Sequence, residues 1–416
     1  MTNQHSARRR LRAPDFHPVA WAIIIGTFLA RTGFFMTIPF LGIYLGEVKG
    51  MNPATIGDIL ATSMLAGTCS SFIGGLLSDR LGRFPVMITA MTLWSLVFIG
   101  FAFAEAPWQF FLLSACNGLF RNVFEPTAKA LLVDVTKTEK RAAVFHARYF
   151  AINVGGAVGP LLGLQLGAGG TSSLLPFAIC SGIYLAYVLV LVALSRMNRE
   201  AGQRRKAQGE PVSMRAMARI VFTDRVFLCF LIGNAFVANA YGHLDTTLSQ
   251  FLGHDNVKTY SFLFMVNAVS VLLLQYPLVT MMRRFSSMTA LTVGCLFFGL
   301  GLFGFGLFDQ LPLLALSVVV FTVGEILSFV IGDVLIGEIA PADSRGTYYG
   351  ASGLAFIGQS GGAWLGGLLL HSLGFDQGPI IFGLLMLITF AAFPFFFAGQ
   401  RLRTRLPIPE EQERAA

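Results

Sequence analysis

Charge is scarce in this chain. Only 12% of its 416 residues are Asp, Glu, Lys or Arg, about half of what a soluble globular protein carries. That shortage excludes an ordinary water-soluble domain. Cysteine is sparse too: Cys69, Cys116, Cys180, Cys229 and Cys295 are far apart and make no CxxC pair. They read as small core residues, with no disulfide framework and no metal site. Neither an HExxH string nor a Walker loop occurs, so neither zinc-protease chemistry nor ATP-driven work is indicated. An enzyme has little support, and no cofactor is expected.

Apolar residues fill the space that charge leaves. They make up 55% of the chain, with 45 Gly and 40 Phe, a composition that uses lipid as its solvent. Twelve apolar runs are each long enough to span a bilayer, at roughly 19–46, 54–77, 84–104, 108–132, 143–167, 173–195, 225–250, 258–282, 287–308, 311–337, 347–371 and 377–399. They are called spans 1 to 12 below. The first is too long for a cleavable leader and is expected to remain as span 1.

The net charge of +8 and pI near 9.4 do not indicate a nucleic-acid partner, because the basic residues sit in short loops between apolar runs. Arg80, Arg83, Lys137, Lys140, Arg141, Arg196 to Arg219, Arg283, Arg284, Arg345, Arg401, Arg403 and Arg405 share one side; Lys49 and Lys258 are nearly alone on the other. The positive-inside rule then puts both termini and the long middle loop in the cytoplasm.

That middle loop divides the spans six and six. The expected organisation is a tail at 1–18, a six-helix bundle at 19–196, a linker at 197–224, a second bundle at 225–400 and a tail at 401–416. Within the linker, Val212 to Ile220 is either a basic amphipathic helix on the membrane surface or a solvated connector. Met282-Arg283-Arg284-Phe285, between spans 8 and 9, occupies the place that Asp79 to Arg83 holds between spans 2 and 3. This weak internal repeat fits two related halves with substrate held between them at mid-membrane.

The loop Gly75-Leu76-Leu77-Ser78-Asp79-Arg80-Leu81-Gly82-Arg83 has the pattern G-x-x-x-D-R-x-G-R. It resembles the signature loop between helices 2 and 3 of the major facilitator superfamily. Span 4 ends Pro126-Thr127-Ala128-Lys129-Ala130-Leu131-Leu132-Val133-Asp134, similar to the cytoplasmic end of helix 4 in drug transporters of that superfamily. Span 5 reads Gly155-x-x-x-Gly159-Pro160-x-x-Gly163. Such spacing allows close helix packing, and proline can bend the helix; in the family this pattern goes with antiporters. Gly324-Glu325-Ile326 in span 10 and Arg345-Gly346-x-Tyr348-x-Gly350 opening span 11 complete the set. Together they resemble the drug:proton antiporter branch, the multidrug exporters of the LmrP and MdtH type. The fold so implied is all-α, with twelve transmembrane helices in two pseudo-symmetric six-helix bundles. One departure stands out: counted back from Pro126, the position of the family's helix 4 arginine is Ser114, its glycine matches Gly118, and the arginine here is Arg121.

Ionisable residues inside spans are costly in hydrocarbon and therefore mark function or pairing. Arg31, Arg121, Glu125 and Arg148 form a net-positive group in the first half, to which Lys129 adds along the same face. The group suits a carboxylate or phosphate held by arginine forks. The plainer alternative is that Arg121 and Glu125, four apart on one face, neutralise each other while Arg31 pairs with a distant acid. Tyr241, expected with Arg31, Arg121, Glu125 and Arg148 to bind substrate, falls in span 7 with His243 and Asp245, and Glu325 and Asp333 fall in span 10. The resemblance places proton coupling on Asp245 and Glu325, and on Asp134 at the end of span 4. A carboxyl in a poorly solvated cavity changes its desolvation cost on protonation, which can bias a rocking equilibrium. His243 reads as a packed polar residue. Asn153, Asn239, Asn267, Gln275 and Gln359 are either interhelical hydrogen bonders or substrate contacts. Gly75, Asp79, Arg80, Gly82 and Arg83, with Gly155, Gly159 and Pro160, form the expected conformational gate. In it Asp79 caps a helix of the second half and Arg83 pairs with Asp134.

The reading is a proton-coupled exporter of amphiphilic or anionic to zwitterionic small molecules, multidrug or siderophore-like, working by rocker-switch alternating access. The alternative is an importer of an anionic metabolite or metal-chelate siderophore. Protons, lipid and a small molecule are the expected partners of a monomer in the bacterial inner membrane.

Overall fold

Prolines and small polar caps set the helix starts. His17 precedes Pro18 and accepts the Val19 amide at 3.3 Å; Asn52 precedes Pro53 and accepts the Thr55 amide at 2.9 Å. Proline is tolerated in a first helical turn because the amide it lacks has no partner there anyway. Asp224 and Ser286 cap later helices in the same way, through the amides of Phe227 and Thr289.

The computed structural model describes residues 16–137, 140–167, 174–197, 223–253, 256–282, 284–340, 348 and 351–404, without the side chains of 71–73, 75, 76, 79, 80, 141, 142 and 146. Its helices are α1 (Pro18–Ile43), α2 (Pro53–Leu81), α3 (Arg83–Phe103), α4 (Pro107–Val135), α5 (Arg141–Gln165), α6 (Leu174–Met197), α7 (Arg225–Gly242), α8 (Thr247–Leu252), α9 (Val257–Met282), α10 (Ser287–Leu307), α11 (Leu311–Ile339), α12 (Ile357–Leu373), α13 (Gly378–Phe390) and α14 (Phe393–Arg403). Nine segments among the described residues are both long and apolar enough to cross a bilayer. The helices α2, α4 and α5 fall outside that set although they have 29, 29 and 25 residues. At 1.5 Å per residue each is at least about 37 Å long, and α4 and α5 carry interior charges that lower their hydropathy.

Two spans that read as continuous are broken. Span 7 stops at Gly242, turns through His243 to Thr246 and restarts as α8. Span 12 stops at Phe390 and restarts at Phe393. The chain also turns from α2 into α3 on the single residue Gly82, whose φ of 93° strongly favours glycine.

Buried apolar residues form two clusters. One holds Val19 to Leu191 with Ala363; the other holds mainly Val226 to Phe396, with Phe40 and Ile43 reaching into it. Between them, α2 packs on α12 and α5 on α9. Contacts joining the groups include Ser360 Oγ donating to the Ala61 carbonyl at 2.8 Å, the rings of Phe40 and Tyr260 at 5.7 Å, and those of Phe35 and Phe264 at 5.3 Å. Gly57 lies against Gly367, and Gly42 against Ser249. All of these lie away from the Gly82 turn. Nearer that end, Lys129, Tyr149, Phe150, Asp333 and Phe356 are exposed.

Candidate functional site

The interior charges of the first group are organised by Glu125. Its Oε1 accepts Arg31 Nη2 at 2.5 Å, and its Oε2 accepts Arg148. The three side chains come from α4, α1 and α5, and that of Arg148 is only 4% exposed. Both carboxylate oxygens are thus taken by neighbouring helices. The i,i+4 pair of Arg121 with Glu125 allowed by spacing does not form. Arg121 lies over the Phe34 ring instead, with its guanidinium carbon 4.8 Å from the centroid, a cation–π geometry.

Glycine permits this assembly. Gly155, Gly159 and Gly163 of α5 face the α1 backbone: a Cβ at Gly159 would stand 2.8 Å from the Thr32 carbonyl oxygen, and one at Gly155 3.0 Å from that of Phe28. The two helices bearing Arg31 and Arg148 approach closely because these residues have no side chain. Pro160 is buried within α5. Gly118, which matches the family's span 4 glycine, packs against Ser63 of α2, and Ser114 is buried.

The second group supplies the acids. Glu325 on α11 accepts the side-chain amide of Asn267 on α9 at 2.8 Å, and Asn267 also donates to Thr322 Oγ1 at 2.9 Å. Asn267 is therefore an interhelical hydrogen bonder directed at Glu325. Asp245 stands at the break between α7 and α8, with Oδ1 buried and without a hydrogen-bond partner. Among the described residues neither Asp245 nor Glu325 makes an ion pair. Two acids of this group are nevertheless within electrostatic reach of cations of the first: Asp245, with Tyr241, acts on Arg121, and Asp333 and Lys129 act on each other, while Asp245 in turn acts on Glu325. His243 is fully buried, its Nδ1 2.8 Å from Thr247 Oγ1 and its Nε2 3.2 Å from Asn239 Oδ1, which fits a packed polar residue.

Three residues enter the site without having been singled out in the sequence. Tyr149 of α5 acts electrostatically on Glu325 and Tyr241. Phe34 carries Arg121, and Phe329 packs edge-on to Tyr241 at 4.9 Å. With 40 Phe in the chain, no periodicity separates these rings from lipid-facing ones. Adjacency to Arg148 was the one available signal for Tyr149.

At the end carrying Gly82, Arg83 Nε lies 3.3 Å from Asp134 Oδ2, and Arg83 Nη1 donates to Ser78 Oγ at 2.6 Å. Asp134 is thus a partner of the loop, away from the central charges. The second group has its own version: Glu338 Oε2 accepts Ser287 Oγ and Arg403 Nη1, both at 2.8 Å. The side chains of Asp79 and Arg80, the surroundings of Gly75, the Val212 to Ile220 stretch, Arg283 and Arg345 lie outside the described residues. Cys69 is exposed, unlike the core residue expected, whereas Cys180 and Cys295 are buried. The string Gly358-Gln359-Ser360-Gly361-Gly362 has the spelling of a serine-hydrolase elbow. That elbow needs a strand-to-helix turn; here the string is helical, and Ser360 is bonded to Ala61.

A family model described as Major Facilitator Superfamily matches residues 23–363. The chain belongs to the major facilitator superfamily. Within it, the chain is 35% identical to the uncharacterized MFS-type transporter YqjV of Bacillus subtilis, over 94% of this chain and 95% of that one. It is 27% identical to the multidrug resistance protein MdtH of Cronobacter sakazakii, over 84% and 87%. Among solved structures, the nucleoside transporter NupG superposes with a TM-score of 0.78 at 15% identity, covering 91% of this chain and 99% of that one. This major facilitator protein is accordingly a multi-pass membrane transporter and not an enzyme.

Proposed function

We propose that the protein is a proton-coupled antiporter that exports amphiphilic or anionic to zwitterionic small molecules by alternating access. The carrying observation is the pair of carboxyls, Asp245 and Glu325, held in the interior with no ion pair among the described residues, Asp245 within electrostatic reach of Arg121 and Glu325 within reach of Asp245. A carboxyl that lacks a cation within bonding distance can take and release a proton at modest cost to the structure. Asn267 orients Glu325 without neutralising it. Arg121, uncommitted to an acid among the described residues, is the proposed anchor for substrate anions. Arg31, Glu125 and Arg148 form the rigid frame beside it, and Tyr241 lines the opposite wall.

The proposal includes twelve spans in two six-helix bundles, at 19–196 and 225–400, with a cytoplasmic linker and termini in the inner membrane of a bacterium. The contacts gathered away from the Gly82 turn, and the exposed residues near it, fit a state open to the cytoplasm. The Arg83–Asp134 pair, with Asp79 and Arg80, is the proposed gate. The MdtH relative and the Gly155-x-x-x-Gly159-Pro160 pattern support export, although those glycines already have a packing role here.

The test is a reconstituted-liposome assay with an acidic lumen and a pH-sensitive dye inside. Lipophilic cations, carboxylate siderophores and organic acids are added in turn. We expect substrate-triggered proton efflux that falls at least ~10-fold in Glu325→Gln. Unchanged efflux in that variant would remove Glu325 from the coupling step.

A further inference from the structure

The central ionisable residues are segregated by sign. Those that act on one another are Arg31, Arg121, Glu125, Lys129 and Arg148 in the first group, and Asp245, Glu325 and Asp333 in the second. Four cations and one carboxylate give the first wall a formal charge of +3. Three carboxylates give the second −3 when all are ionised. The whole is neutral, yet each wall is strongly one-signed.

Linkage then restricts what an antiporter of this build can carry. Binding free energies are reciprocal: whatever protons do to substrate affinity, substrate does to proton affinity. A pure anion seated on Arg121 would compete with ionised Asp245 for the same guanidinium. Protonating Asp245 would relieve that competition, so anion and proton would bind together, which is the thermodynamics of symport. A cationic group at Asp245 or Glu325 does the reverse and expels protons, which is the thermodynamics of antiport. A cation with no anionic part would, however, face the +3 wall and leave Arg121 unserved.

Resting on the antiport reading above, we propose that the substrate is a zwitterion: its anionic group docks on Arg121, its ammonium replaces the proton at Asp245 or Glu325, and an aromatic or apolar body between them lies on Tyr241 and Phe329. The charge segregation is the observation that calls for both signs in one molecule. Tyr241 and Phe329 meet edge-on at 4.9 Å, and Phe329 runs parallel to the exposed Phe356 at 6.3 Å. They provide a ring surface on the acidic wall. The groups facing Asp245 are Arg121 of α4, Tyr241 of its own span, Tyr260 of α9 and Glu325 of α11. Those facing Glu325 are Asn267 of α9, Tyr149 of α5, Tyr241 and Asp245. Among the described residues Arg121 is the one cation in these two sets of neighbours, so a substrate ammonium meets little competition there.

The experiment is calorimetric titration of the detergent-purified full chain with three probes of one shape. They are 4-(aminomethyl)benzoate, which carries both charges, its methyl ester, which is only cationic, and 4-methylbenzoate, which is only anionic. Runs in buffers of different ionisation enthalpy count protons released or taken up. We expect the zwitterion to bind at least ~10-fold tighter than either relative, since each charge gains a fixed partner, and to release protons as it binds. Arg121→Gln should bring it down to the level of the ester, with Arg121→Lys retaining part of the difference. Asp245→Asn with Glu325→Gln should abolish the proton release. The proposal fails if 4-methylbenzoate binds as tightly as the zwitterion, or if the ester does and Arg121→Gln changes nothing. These outcomes need no transport: absence of proton flux in liposomes would refute the coupling reading while leaving the ranking of the three probes to decide the substrate class.

Discussion

Glu125 separates a structural charge from a functional one at the scale of a residue. It is the only carboxylate among the described residues bonded to both Arg31 and Arg148. Removing one member of a buried ionic cluster leaves the others uncompensated, typically at about 3–5 kcal/mol. Glu125→Gln is therefore expected to lower the thermal midpoint of the purified protein sharply. Arg121→Gln breaks no ion pair within bonding distance: it loses a ring contact worth roughly 0.5–2 kcal/mol and a longer-range attraction to Asp245, and should be less destabilising than Glu125→Gln while losing ligand affinity. A thermal unfolding series on the two variants checks this; an Arg121 variant less stable than the Glu125 variant would reverse the assignment. Spacing alone pointed to Arg121 as the partner of Glu125. It failed because competing cations arrive from α1 and α5, and a sequence does not state which helices will be neighbours.

Helices were the most legible level. Nine of the twelve runs read as spans are long and apolar enough to cross a bilayer among the described residues, and the Gly82 turn falls where the signature loop put it. The breaks at His243 to Thr246 and at Ala391-Ala392 were missed although Gly242 ends the helix before the first and Pro394 sits in the first turn after the second, because each lies within an apolar run that reads as continuous. Glycine function was only half legible: the α5 pattern was visible, but whether it faced a helix or lipid was not. Two substitutions separate the cases. Gly159→Ala sets a methyl against the α1 backbone and is expected to cost about 1–3 kcal/mol, as overpacking does. Gly361→Ala meets open space within its helix and should be neutral or stabilising by up to about 1 kcal/mol through helix propensity. Equal losses of folded yield in the two variants would contradict the packing described here.

Across the whole molecule, the exposed pairs Arg83–Asp134 and Arg403–Glu338 contribute little to stability, since such pairs are each worth about 0–1 kcal/mol. In the proposed cytoplasm-open state their place at that end gives them leverage over which state is populated instead. Arg83→Ala is expected to change the distance distribution between spin labels at that end of α2 and α11 while leaving ligand affinity unaltered. A changed affinity with an unchanged distribution would sink this assignment. For the proton-coupled reading the sign of the pH dependence is fixed: substrate that releases protons must bind more weakly as pH falls through the titration of Asp245 and Glu325. Tighter binding in acid would mark a symporter.

The opposed signs of the two walls also act when nothing is bound. Unlike charges attract, and the exposed Lys129 and Asp333 act on each other electrostatically near the end proposed to be open. In the proposed cycle the empty protein would thus carry its own restoring force, a spring whose stiffness is set by the ions dissolved in the gap. Raising salt shortens the Debye length from about 10 Å at 0.1 M to about 3 Å at 1 M. The return stroke of the unloaded carrier should slow accordingly, while a loaded carrier, its walls already bridged by cargo, should be much less sensitive to salt.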